Sequence, residues 1–187
     1  MNTSDIVNDT KFLGRDFMVW LWFRSERNSG FFHLENGEEI ELWFDGSMIL
    51  QSERDGRIET ISCTGEQSRF LEARYALSEF KKIIKAKIKL IAGDNAWSFS
   101  IDDTWFNFRG MRLPHVTLDQ HEDPDAIFYE RIGLIEKAVS IMDRLFALYT
   151  TVRTSGEWEN EEMPAIRKWI THSSINSIAN KNDYPAP

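Results

Sequence analysis

A single cysteine, Cys63, leaves this chain with no internal disulfide to form, and a reducing compartment is the natural expectation. Apolar runs are short. The longest, Phe17 to Phe23, has seven residues, against the roughly 20 that a bilayer-spanning helix needs. The opening MNTSDIVNDT is polar and acidic, without the basic start and apolar stretch of a secretory signal. A cytoplasmic protein with no membrane segment is expected. The catalytic vocabulary is equally thin. His33, His115, His121 and His172 are scattered, and Cys63 has no CxxC partner, so no zinc-type ligand set forms. The nearest approach, His115 with His121, Glu122 and Asp123, reads as a solvated polar loop. There is no GxSxG elbow, no GxxxxGK[ST] and no GxGxxG. Asp102-Asp103 sits at a turn, where aspartate is favoured for backbone reasons. No catalytic residue, metal or cofactor is expected, which leaves a protein that acts by binding.

What is present is charge, unevenly placed. The net charge of −8 argues against a general polyanion binder. Residues 34–66 carry two bases and nine acids, and residues 114–187 seven bases and twelve acids. Between them, residues 67–113 carry nine bases and five acids. One basic segment therefore lies between two acidic ones.

The pattern of elements is α+β. Residues 1–11 carry no periodic signal and are expected to be disordered. FLGRDFMVWLWFRSER (12–27) reads as a helix that is apolar nearly all round, hence buried in the fold or covered by a partner. Asn36-Gly37, Asp45-Gly46 and Asp55-Gly56 each favour the positive φ of a two-residue hairpin turn. They divide 31–63 into an antiparallel meander of about four strands. In its second strand Ile40, Leu42 and Phe44 alternate with Glu39, Glu41 and Trp43. Gly65 to Phe80 reads as a middle helix, and three strands follow, Lys82–Ala92, Trp97–Ile101 and Trp105–Leu113. The expected fold thus has two meanders, about seven strands in all, packed with three helices. The third and longest helix starts at Asp123-Pro124, an N-cap followed by proline at the first helical position. Along it Phe128, Ile132, Ile135, Val139, Met142, Phe146 and Tyr149 form a heptad seam. Residues 154–162 read as an acidic linker, with a short helix from Pro164 to His172 and a mobile tail beyond. The domain proper is expected over 12–153.

Two constellations suggest binding. In the strand Lys82–Ala92, Ile84, Ala86, Ile88 and Leu90 face one way while Lys85, Lys87 and Lys89 face the other, about 6.6 Å apart. Lys81 and Lys82 precede them, and Arg109 and Arg112 lie two strands away. Such a row suits the phosphate backbone of a nucleic acid and makes no demand on base sequence; a lysine-rich solvated strand face is the plainer reading. The heptad seam likewise either packs on the sheets or pairs two chains. Trp20 and Trp22 point to different sides of the first helix, so one of them could also serve a homodimer, as could Phe128, Ile132, Ile135, Val139 and Met142.

FLGRDFMVWLWFRSE resembles a segment of the bacterial recombination-associated proteins of the RdgC family. LEARYALSEFKKIIKAKIKLIAGDNAWSFSIDDTWFNFRGMRLP and DPDAIFYERIGLIEKAVSIMDRLFALY resemble that family's C-terminal part. The shared order is helix, long strand, strand with Trp-x-Phe, strand ending near Arg-x-Leu, and long terminal helix, over residues 12 to 153. The resemblance implies a nucleoid-associated homodimer that binds double-stranded DNA without sequence preference and restrains strand exchange by a RecA-type recombinase. Much of the family's N-terminal portion has no counterpart here, so the resemblance brings neither the family's DNA-encircling ring nor any particular contact residue. The rival expectation is an acidic protein-interaction module that does not touch DNA.

Overall fold

The structure, a computed structural model, describes residues 3–54, 56–66, 70–103, 107–116 and 124–179. Helix α1 (Thr3–Arg27) leads into strands β1 (Phe31–His33), β2 (Glu39–Arg54) and β3 (Arg57–Glu66). Helix α2 (Leu71–Ser78) and strands β4 (Lys82–Ala92), β5 (Asn95–Asp102) and β6 (Arg109–Arg112) follow. Helix α3 (Pro124–Thr154), a π-helical turn (Trp158–Glu162) and α4 (Met163–Ala179) complete the order. The class is α+β with antiparallel strands, as the pattern implies.

The strands form one six-stranded sheet, because β2 joins the two expected meanders. Along one edge β2 pairs first with β1 and then with β3; along the other it pairs with β4, which continues to β5 and β6. Asn36-Gly37 does turn the chain, with Gly37 at φ +78°. Arg54 pairs with Arg57, so a two-residue turn closes β2 onto β3, with Asp55 itself outside the described residues. Asp45-Gly46 is no hairpin. Phe44 faces Ile88 and Met48 faces Ala86, so four steps along β2 match two along β4. Gly46, at φ +88°, absorbs the excess as a bulge. Both steps are even, so Phe44 and Met48 stay on the same face and both are buried.

The core lies on one side of this sheet. Ile40, Leu42, Phe44, Met48 and Leu50 of β2 point there with Trp97, Phe99 and Ile101 of β5. So do Ala86, Ile88 and Leu90 of β4, but a register shift opposite Ile49/Leu50 puts Ile83, not the expected Ile84, at the buried place. Helix α1 is apolar all round because it is covered on both sides. Trp22 meets Phe44 of the sheet at 6.2 Å and Trp169 of α4 at 4.9 Å, while Phe17 meets Phe146 and Tyr149 of α3 at 5.2 and 5.4 Å. Burying each such side chain is worth roughly 1.5–3 kcal/mol.

The ends differ from expectation. Helix α1 begins at Thr3, within the segment that shows no periodicity. Strand β3 runs on to Glu66, where the middle helix was expected to begin, and α2 is shorter. The expected linker 154–162 is not solvated throughout: Trp158–Glu162 form a π-helical turn in which Trp158 and Glu162 are buried, and Trp158 packs edge-on against Tyr149 at 5.8 Å. Trp105, His121 to Asp123 and the tail beyond Ala179 lie outside the described residues. Among those described, no helix is long and apolar enough to cross a membrane.

Tyr149 makes this packing pH-sensitive. Burial first, and then the Asp16 carboxylate, push its phenol up to about 12, against a lowering influence from Arg153. Between pH 10 and 12 the folded chain therefore holds a proton that the unfolded chain releases. Stability should fall as pH rises through that window, by at most about 1.4 kcal/mol per pH unit. Tyr149→Phe should remove that part of the slope in denaturant titrations at pH 10 to 12.

Candidate nucleic-acid interface

The opposite face of the sheet is open. Alternation sends Glu41, Trp43, Ser47 and Ile49 of β2 there, with Lys85, Lys87, Lys89 and Ile91 of β4 and Ala96, Ser98 and Ser100 of β5. None of these is buried. The register sets them in rows. Trp43 lies opposite Lys89, Lys89 opposite Ser98, and Ser98 opposite Arg112. The next row joins Lys87, Ser100 and Arg109, and the one beyond joins Ile49, Lys85 and Asp102.

Arg109 and Arg112 are three residues apart, a spacing that in a regular strand would place them on opposite faces. They face Ser100 and Ser98, which are two apart, so β6 holds one extra residue. Gly110, at φ +61°, supplies that bulge and brings both guanidinium groups to the lysine side. Gly46 has a related role across β4. A Cβ there would stand 3.0 Å from Cδ of Lys87, so the glycine leaves room for the lysine stem. Trp43 covers Gly30, where any Cβ would overlap the indole ring, and its Nε1 donates to Glu41 at 3.4 Å. Phe31, opposite Glu41, adds a second aromatic to this face.

Lys85, Lys87 and Lys89 form no ion pair among the described residues, and neither does Arg112. Arg109 is 3.8 Å from Asp102. Glu41, Asp45 and Asp102 temper the positive surface without neutralising the lysine row.

Two expected contributors are elsewhere. Lys81 is buried, its Nζ donating to Glu59 at 2.6 Å and Ser52 at 3.1 Å. Lys82 donates to Asp16 of α1 at 3.0 Å. Both are occupied by structural acids, so the basic surface is Lys85, Lys87, Lys89, Arg109 and Arg112. The residues expected at an oligomer contact also separate. Trp20 and Trp22 are fully buried inside the chain, and Met142 is buried as well. Val139 and Ile132 are half-buried, while Phe128 and Ile135 remain 60% and 41% exposed on the first half of α3, beside Tyr129 at 70%.

Sequence reasoning missed the second polar centre, Glu162. Its carboxylate accepts from Trp20 Nε1 at 3.0 Å, Arg24 Nε at 3.0 Å and Arg27 Nη1 at 3.5 Å. This is an anchor between α1 and the π-helical turn that leads into α4. Among the described residues no cluster of three or more His, Cys, Asp or Glu could hold a metal ion. Cys63 is buried, with its thiol pushed up by desolvation and then by Glu72, which makes it a poor nucleophile. No protein-family model, curated protein or solved structure matches this chain.

Proposed function

We propose that the protein binds double-stranded DNA without sequence preference, across the open face of its sheet. The observation that carries this reading is the row Lys85, Lys87 and Lys89, unpaired by any described acid and extended by Arg112 two strands away. Phosphate contacts from flexible ammonium groups position a duplex and read no bases. Their free energy comes largely from counterions released as phosphates are neutralised. Ser98 and Ser100, set between the lysines and the arginines, can donate to the same phosphates. The acids of the molecule's other surfaces weigh less than the net charge suggests, because beyond about 8 Å physiological salt screens them. The resemblance supplies a setting: duplex covered in this way is a poorer substrate for RecA-driven strand exchange.

The test is the salt dependence of duplex binding. Three neutralised phosphates contribute about −2.7 to the slope of log K against log salt. Changing Lys85, Lys87 and Lys89 together to glutamine should flatten the slope by that amount and relieve any inhibition of strand exchange. Lys168→Gln, on α4, should leave both unchanged. An unaltered slope in the triple variant removes this face from the interaction. Failure of the parent chain to bind duplex near about 50 mM salt, where phosphate contacts are strongest, favours the second reading, a protein-interaction module. That reading has its own observation in the uncovered Phe128, Tyr129 and Ile135.

A further inference from the structure

On the helical side of the molecule, α1, α2 and α4 enclose a cleft of about 520 Å³ that the DNA reading does not use. Its walls are mainly apolar, with Val19, Leu77, Met163 and Ile166 among the side chains that line it. Its volume is that of a small-molecule site, commonly about 300–1,000 Å³. Its charged lining is three cations, Lys81, Lys82 and Arg167, and one acid, Asp16. Lys82 is there, held by Asp16, and so is Arg167, which forms no ion pair among the described residues. An apolar body with one anionic end matches this distribution, since the body leaves water and the head meets a guanidinium.

The lip of the cleft carries a second signal. Helix α2 ends in a Schellman-type cap, in which Lys81 N donates to Ala76 O and Phe80 N to Leu77 O, each at 3.0 Å. The donor of the inner bond, at the position just past the helix end, must adopt a left-handed conformation, a place where glycine is usual. Here it is Phe80, at φ +64°, 75% exposed and lining the cleft. A bulky residue kept in a strained position, with its ring largely in water, lowers stability in two ways at once. A ligand that covers the ring offsets the second.

We propose that this cleft binds an amphipathic anion, a carboxylate or comparable head on an alkyl or aryl body, with Arg167 at the head and Phe80 closing over the body. Decanoate and the uncharged decanol serve as probes in calorimetry with the full chain. Decanoate should bind with one site per chain. Arg167→Gln should weaken decanoate by about tenfold, the effect of losing one charge-assisted hydrogen bond, while leaving decanol unchanged. Phe80→Gly should raise Tm by about 2–4 °C, as relief of about 1 kcal/mol does at this chain length, and should weaken both probes. Absence of saturable decanoate binding, or equal losses for the two probes in Arg167→Gln, would overturn the proposal. A stabilised Phe80→Gly chain with unchanged affinity would overturn the part assigned to Phe80.

Discussion

Glu162→Ala should lose about 3 kcal/mol of stability, read as a drop in denaturant midpoint with no change in slope. The carboxylate is almost fully buried and gathers three donors, Trp20 Nε1, Arg24 Nε and Arg27 Nη1. Removing one side of a buried charged pair commonly costs about 3–5 kcal/mol, because the other side stays desolvated. The lower end applies here, since Arg24 and Arg27 keep 26% and 54% of their side chains in water and can rehydrate. Trp20 has no such recourse. Its ring is locked beside Phe17 and Tyr149, so its N–H would be left without an acceptor, at roughly 1–3 kcal/mol. Glu162→Gln keeps one acceptor oxygen and should lose about half as much. Pairing Glu162→Ala with Arg24→Ala should give less than the sum of the two single losses. Full additivity, or a loss below about 1 kcal/mol for Glu162→Ala, would show that the carboxylate does not tie the C-terminal helices to α1.

How far the sequence could be read follows from the reach of each signal. The lysine row was legible because alternation is local: once β4 is a strand, Lys85, Lys87 and Lys89 must share a face. The same argument could not place Lys81. It precedes the strand, its N–H closes the cap of α2, and its side chain turns to Glu59, 22 residues earlier. Asp45-Gly46 misled for a related reason. A positive φ at glycine serves a hairpin turn and a bulge equally, and only the strand paired alongside, β4, decides between them. The heptad seam showed that α3 has an apolar face but not how much of it is covered. Its second half packs on Phe17 and Trp20, while its first half extends past them and leaves Phe128 and Ile135 in water. Glu162 was the least accessible of all. In the string ENEE nothing marks one glutamate as buried, since its partners lie 135 to 142 residues away.

Gly14→Ala sets helix propensity directly against packing. Gly14 lies within α1 and has no positive φ, so by propensity alone alanine should stabilise it by about 1 kcal/mol. Tertiary contact reverses that sign. A Cβ at this position would overlap the backbone carbonyl of Asp103, at the end of β5. A carbonyl cannot swing aside as a side-chain tip can. It is held in place because Asp103 N donates to Ile84 O at 3.0 Å and its carboxylate meets Arg15 Nε at 2.5 Å. Relief requires α1 to lift from the sheet over the stretch where Phe17 and Met18 are buried. Overpacking of this kind costs about 1–3 kcal/mol, and rigid backbone on both sides favours the upper end. Gly14→Ala should therefore destabilise the chain by about 2 kcal/mol net, and Gly14→Val by more, because the β-branch adds both bulk and a helix penalty. Arg15→Ala, which takes one partner from the Asp103 carboxylate without moving its carbonyl, should also destabilise, by about 1–3 kcal/mol, because Asp103 keeps only 8% of its side chain in water. Should Gly14→Ala instead raise the denaturant midpoint, α1 would not approach the end of β5 as closely as this packing requires.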